Sequence, residues 1–413
     1  MKFKLRPTKV SKESIRNLSV KYSRKLRKEN ANTLKLIYKL HLGLIYLYFD
    51  NSRSQLKKLF FPVIMANLIE NGSINSVIKE YRESKKLYSH SYTMRILNQL
   101  DRDDSLEISK IFREIMFKIL KKNKFSNKGF IVAIDITIKP FYGNKKLCMA
   151  KGCKNKSGTN QGIHYLTASL VEEGVRFNLL CIPISSLTSV KRKVEEMIKE
   201  IEKIVSIKLL FFDRGFGNGI YSRIINNLRH KFCSPITKND KLKEIKESIK
   251  RQSKPRKDKY DIIVMDYTFS ENRSIEYQEK VKLIALHENN EIYFFITNIY
   301  NLSMENYYNL ISAYRYRWGI ETNYRVDNIF NPLTSSIKAT IRYMLMQVSM
   351  IIQDLWTLVN FLFHDEDKKQ PREKFKKDSL TSIIKARVKK LDFIWRPIIT
   401  AVQFKRQMGA IFT

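Results

Sequence analysis

Acidic side chains are scarce in this sequence: 40 Asp and Glu stand against 77 Lys and Arg in 413 residues, a formal net charge of +37. An excess of that size, spread along the chain, points to a polyanionic partner. Cysteine is nearly absent. Cys148, Cys153, Cys181 and Cys233 form no C-x-x-C pair and have no histidine at zinc-ligand spacing, which excludes a zinc module or a disulfide framework and suits reduced thiols in a cytoplasmic protein. Long apolar runs are missing too. Residues 42–49 and 59–69 are too short to span a bilayer, and Tyr343 to Phe363 is interrupted by Gln347, Ser349, Gln353, Asp354 and Asn360, so it reads as a buried core helix. With no apolar signal region in Met-Lys-Phe-Lys-Leu-Arg and no lipidation motif, the expected polyanion is nucleic acid rather than membrane. A Walker-type lysine loop is absent, the six histidines make no H-x-x-x-H pair, and no internal repeat or low-complexity block is present.

What is there divides by period. Residues 1–30 hold eleven Lys/Arg and two Glu, a basic arm suited to a polyanion. From Asn32 to about Lys122 the apolar spacing is helical, and Ser73 to Tyr81 followed by Ser89 to Leu100 has the form of two short helices joined by a polar turn, as in a helix-turn-helix. At Gly129 the period changes. Phe130 to Ile138 is an apolar, β-branched run broken by Asp135, the pattern of a strand covered on both faces. His164 to Val171 and Val175 to Pro183 form a hairpin around Glu172-Glu173-Gly174. A helix over Ser189 to Lys203 follows, then a strand over Lys208 to Phe212 that ends on Asp213-Arg214-Gly215-Phe216, a helix over Gly219 to Leu228 capped by Asn218, and a strand over Phe232 to Thr237. Lys238 to Lys259, with ten Lys/Arg and four acids, reads as a basic mobile segment. Strands are expected over Asp261 to Phe269, Val281 to His287 and Glu291 to Asn298, the last two joined at Asn289-Asn290.

The next element carries the densest chemistry. On a helix, Tyr314, Arg317, Glu321 and Asn328 fall at spacings of 3, 4 and 7 and share one face, flanked by Ile311, Trp318 and Ile329 on one side and Ala313, Ile320 and Tyr324 on the other. Alone, an Arg/Glu pair four apart is worth only about 0.3 to 0.5 kcal/mol. Together with Asp135 and Asp213 it becomes a candidate site, because adjacent first and fourth strands would bring both aspartates to one sheet edge and a helix across that edge would add Glu321. Three gathered acids repel unless a cation intervenes. Oxygen-only ligation suits Mg²⁺ or Mn²⁺, and two such ions can drive in-line displacement at phosphorus.

These residues resemble the DDE transposases of prokaryotic insertion sequences, in the branch marked by a Tyr-(2)-Arg-(3)-Glu-(6)-Lys signature. Here it stands as Tyr314, Arg317, Glu321 and Asn328, beside a first-strand Asp135 and the Asp213-to-Phe216 turn. The resemblance implies an α/β chain with a ribonuclease-H-like mixed five-stranded sheet and flanking helices. Its expected parts are a helical, basic DNA-binding region over 1–125, the first part of the core over 126–237, a β-rich insertion over 238–302, helical completion of the core over 303–365, and a basic tail over 366–413. It also implies that Asp135, Asp213 and Glu321 hold two Mg²⁺ or Mn²⁺ ions, and that Tyr314, Arg317 and Arg214 contact DNA. Asn328 replaces the family lysine and brings no charge; Arg325, one turn beyond Glu321, can supply it. The implied activity is cutting at the element's ends and transfer of the 3′-hydroxyls into target DNA. The implied partners are double-stranded terminal inverted repeats and target DNA, bound by paired subunits in a prokaryotic cytoplasm at the nucleoid.

Other readings remain open at this level. One is a DNA-binding derivative that has lost turnover; another is a structure-specific nuclease on the same core. Gly215-Phe216-Gly217-Asn218-Gly219 resembles a dinucleotide-binding turn but misses the final glycine, has Asp213 where a pyrophosphate would lie, and sits in a chain without repeated βαβ units.

Overall fold

The computed structural model describes residues 62–63, 65–67, 72–81, 88–99, 113, 129–143, 149–156, 158–172, 175–185, 187, 189–237, 239–252, 261–270, 278–288, 291–317, 320–321, 324 and 330–362. The basic arm, the turn between the two expected N-terminal helices, Arg325, Asn328 and the tail beyond residue 362 lie outside them. The chain divides into two compact units, Met1–Asn127 with Val326–Thr413, and Lys128–Arg325. In the first unit, α1 (Ile74–Tyr81) buries Ile74, Val77, Ile78 and Tyr81, an i, i+3, i+4, i+7 face, and Ser73 and Ser76 exchange backbone-to-hydroxyl hydrogen bonds at its start. Helix α2 (His90–Leu97) starts on Ser89, whose hydroxyl accepts from the Tyr92 amide.

The second unit is a mixed α/β structure. Strand β1 (Phe130–Pro140) is followed by β2 (Lys151–Lys156), β3 (Thr159–Glu172) and β4 (Val175–Ile184). Then come α3 (Val190–Glu202), β5 (Ile207–Phe212), α4 (Gly219–Asn227), β6 (Phe232–Pro235) and α5 (Asp240–Gln252). Strands β7 (Asp261–Ser270), β8 (Gln278–Glu288) and β9 (Glu291–Thr297) lead to α6 (Met304–Tyr314). All nine strands form one sheet in the order β2-β3-β1-β5-β6-β9-β8-β7, with β4 also paired to β3. Among the described residues only the β1–β5 and β5–β6 pairs are parallel.

The first five residues of β1 are buried, as in a strand covered on both faces. On one face α6 sets Tyr307, Leu310, Ile311 and Tyr314 against Ile131, Ala133, Leu209, Phe211, Ile284 and Phe295. Elsewhere α3 buries Val194, Met197, Ile198 and Ile201 and packs on β3 and β4.

Three expectations change. The sheet is larger than the five strands read from sequence, because β9 pairs with β6 through Cys233↔Thr297, Ser234↔Ile296 and Pro235↔Phe295, so the β-rich insertion continues the core sheet. The segment read as mobile contains α5, whose Leu242, Ile245 and Ile249 share a helical face; Ile245 and Ile249 pack with Ala285 and Ile292 of the extension. And residues 326–365, read as completing the core, fall in the first unit. There α7 (Ala339–Leu362) is the expected buried helix; its Gln347 accepts from the buried Arg113 at 3.3 Å and donates to the Tyr343 hydroxyl at 2.7 Å, which satisfies polar groups inside an apolar core. Among the described residues no helix is long and apolar enough to cross a membrane.

Candidate active site

The site is built at the end of β5. Ile134 of β1 pairs with Phe212, so Asp135 within β1 and Asp213 just past the end of β5 lie at the same level of neighbouring parallel strands, where strands lie about 4.8 Å apart. The turn after Asp213 is held firmly. Arg214–Phe216 is a 3₁₀ turn, the Thr237 hydroxyl donates to the Arg214 carbonyl at 3.0 Å, and the Ser234 hydroxyl donates to the Asp213 carbonyl at 3.2 Å. Gly217 lets this turn lie against β6: a β-carbon there would sit 1.9 Å from the Pro235 carbonyl oxygen. Asn218 then caps α4, accepting from the amides of Ile220 and Tyr221.

Helix α6 latches onto the same place. The Tyr314 hydroxyl donates to the Phe212 carbonyl at 2.9 Å, and its ring meets Phe211 and Phe295 edge-on. The expected single helical face is broken here. The α-helix stops at Tyr314, and Arg315–Arg317 is 3₁₀, a turn in which residues three apart eclipse. That places the Arg317 guanidinium 5.5 Å from the Tyr314 ring centroid.

Arg317 is the centre on which the three acids converge. Its side chain is 7% exposed, and it lies 3.7 Å from Asp135 Oδ2, 3.6 Å from Asp213 Oδ1 and 3.0 Å from Glu321 Oε1. Only the Glu321 contact is short enough to be a hydrogen bond; the Arg317 Nε and Nη1 atoms are buried without a hydrogen-bond partner among the described residues. A second tether joins the Glu321 segment to the sheet. Thr167, opposite Asp135 on β3, donates to the Asp135 carbonyl at 3.2 Å and meets the Tyr324 hydroxyl at 2.6 Å. Sequence reasoning missed Thr167, since only the β1–β3 register singles it out.

Electrostatics follow from burial. Asp135 is pushed up to about 6 by burial, opposed by the hydrogen bond from the Ile136 amide and by Arg317, and reinforced by Asp213 and Glu321. Burial alone would lower the Arg317 guanidinium, but Tyr314, Asp213, Asp135 and Glu321 together raise it. Burial also raises the Tyr314 hydroxyl. One prediction arises directly. Because the folded Asp135 lies above its ordinary 3.8, the folded chain binds more protons than the unfolded chain between 3.8 and about 6. Without divalent metal, this group's contribution to stability is therefore lost as pH rises through that window, by about 3 kcal/mol in all. Urea melts across it should show the slope in the native chain and its absence in Asp135→Asn.

The residues expected to touch DNA divide by burial. Tyr314 and Arg317 face the protein interior, the Tyr314 hydroxyl donating to the Phe212 carbonyl, whereas Arg214 is exposed and makes no ion pair among the described residues. The donor set suits a hard divalent cation, being three carboxylates with no sulfur or nitrogen. As placed, however, no three His, Cys, Asp or Glu among the described residues are arranged to share one ion, and the guanidinium stands between the acids. The fit is thus one of donor chemistry, with Arg317 supplying the positive charge in this structure.

Comparisons with known proteins add little. No protein-family model matches the chain, and no curated protein matches it. Among solved structures it is similar to a cryo-EM structure of the piggyBac transposase synaptic complex with hairpin DNA, at 14% identity over 91% of this chain and 84% of that one, with a TM-score of 0.46. A likeness that loose defines neither family nor activity.

Proposed function

We propose that this protein is a metal-dependent DNA transposase that cuts at the ends of an insertion sequence and joins the 3′-hydroxyls to target DNA, using a ribonuclease-H-like core made of β1, β3, β4, β5 and β6. The observation that carries the reading is the convergence of Asp135, Asp213 and Glu321, distant in sequence, around one buried guanidinium. Ordinary packing gives no reason to gather three acids there, since like charges repel and the burial of Asp135 adds to the cost. Asp135, Asp213 and Glu321 would hold Mg²⁺ or Mn²⁺; a bound pair of these ions supplies activation of a water or 3′-hydroxyl and stabilises the leaving oxygen. The chain's own groups do the rest. Arg317, itself buried, restrains the three carboxylates. Exposed Arg214, beside Asp213, is placed to meet the DNA backbone. Tyr314 and Tyr324 position the segment that carries Glu321. In this reading the partners are double-stranded terminal repeats and target DNA, engaged by two subunits.

One feature favours a binding protein without turnover: the guanidinium already occupies the middle of the acid cluster. Incubation with Mn²⁺ and the genomic DNA that flanks the reading frame, searched for inverted repeats, separates the two. Strand cleavage at the repeat ends is expected; binding without any cleavage leaves the non-enzymatic reading.

A further inference from the structure

Past the acid cluster, the sheet grows an overhang. Strand β5 stops at Phe212 opposite Ile134, while β1 runs on from Asp135 to Pro140. Those six residues span about 16 Å, five steps of about 3.3 Å each. Along this stretch β1 is paired with β3 through Pro140↔Gly162; the far side of β3 holds β4 as far as His164↔Ile184 and, at the tip, β2 through Lys151↔Gly162 and Gly152↔Gln161. No strand pairs with the other edge of β1 beyond Ile134 among the described residues. The overhang is well packed rather than loose. Phe141 is 2% exposed, its amide donates to the Gln161 carbonyl, and a β-carbon on Gly162 would lie 2.3 Å from Ile138 Cγ2.

Its charge is one-sided. Residues 136–171 contain no Asp or Glu but six lysines, Lys139, Lys145, Lys146, Lys151, Lys154 and Lys156. Lys154 is exposed and Lys151 half-buried, and neither makes an ion pair among the described residues. Lys151 carries its charge at a cost, since burial lowers its ammonium below the ordinary value; burial, and then the charge of Lys151, lower the His164 imidazole as well. Tyr142, just past the end of β1, is 69% exposed.

We propose that this three-stranded overhang is a rail for the phosphate backbone of double-stranded DNA, gripping the duplex through Lys151 and Lys154 as it leads to the acid cluster. This rests on the reading of that cluster as a DNA-processing site, and it adds a binding element in the strands next to it. A duplex lying along the overhang would contact it for about five base pairs, at about 3.4 Å of axis per pair. The contacts are to phosphate and so carry no sequence preference.

The test is the salt dependence of binding to a short random-sequence duplex by the full chain. For Lys151→Ala with Lys154→Ala, the slope of log K against log salt should flatten by about 2, and by about 1 for exposed Lys154→Ala alone, with thermal melting unchanged. The double Lys→Arg variant should recover the native slope. If the native chain binds DNA and the alanine variants keep its slope, the rail is wrong while the catalytic reading stands; a shift in oligomeric state at unchanged slope would assign the overhang to contacts between copies, and overturn it equally. If the native chain has no affinity for DNA, both readings fall together.

Discussion

Asp213→Asn should lower metal-dependent DNA cleavage by about a thousandfold or more, the scale on which a single group aimed at transition-state charge is felt. Asp213 is the most exposed of the three acids, at 46% against 35% for Glu321 and 15% for Asp135, so the amide disturbs packing least there. On the proposed reading DNA affinity should hold or rise, because the substitution removes a negative charge from the surface that would meet phosphate. Asp135→Asn and Glu321→Gln should each act alike, and combining any two should cost little beyond the first, as for groups that act as a unit. Gel assays of nicking and cleavage with Mn²⁺ read the result. Cleavage retained in any of the three would remove that residue from the site, and retained cleavage in all three would end the account.

Arg317→Ala should destabilise the metal-free chain by about 3 to 5 kcal/mol, the cost of leaving buried charges without their partner. The guanidinium is at once the counter-ion of Asp135, Asp213 and Glu321, the hydrogen-bond donor to Glu321, and the cation near the Tyr314 ring. Arg317→Lys should recover only part, since one ammonium cannot spread its charge among acids on different sides as a planar fork does. The informative comparison adds divalent metal. If the acids are a cation site, Mn²⁺ should return stability to the alanine variant, about 2.7 kcal/mol when its concentration is a hundredfold above the dissociation constant. Urea melts with and without Mn²⁺ measure this; a variant as stable as the native chain, or one indifferent to Mn²⁺, contradicts it.

What was legible in the sequence follows how local each signal is. The apolar run interrupted by Asp135 marks β1 because a strand covered on both faces tolerates no free carboxylate without a reason, and the cap residues Ser189 and Asn218 act as their chemistry dictates. The Arg317–Glu321 contact is four residues apart and could be read directly. The misses are tertiary. Strand β2, Lys-Gly-Cys-Lys-Asn-Lys, has no apolar alternation and exists because β3 offers it an edge. Helix α5 hides its few apolar residues among lysines. The 3₁₀ turn after Tyr314 stands where the Tyr314 hydroxyl reaches Phe212, 102 residues earlier, and spacing carries no sign of so long-range a bond or of the inward side chain it holds. Spacing could align Asp135, Asp213 and Glu321 as acids, but it gave no hint that they gather around Arg317.

Manganese binding measured by electron paramagnetic resonance, with duplex DNA present, addresses the acid cluster most directly. Saturable binding is expected for the native chain, with its loss in Asp135→Asn, Asp213→Asn and Glu321→Gln. A native chain that takes up no Mn²⁺, or variants that bind it as well as the native chain does, would contradict a divalent-cation site built from these three carboxylates.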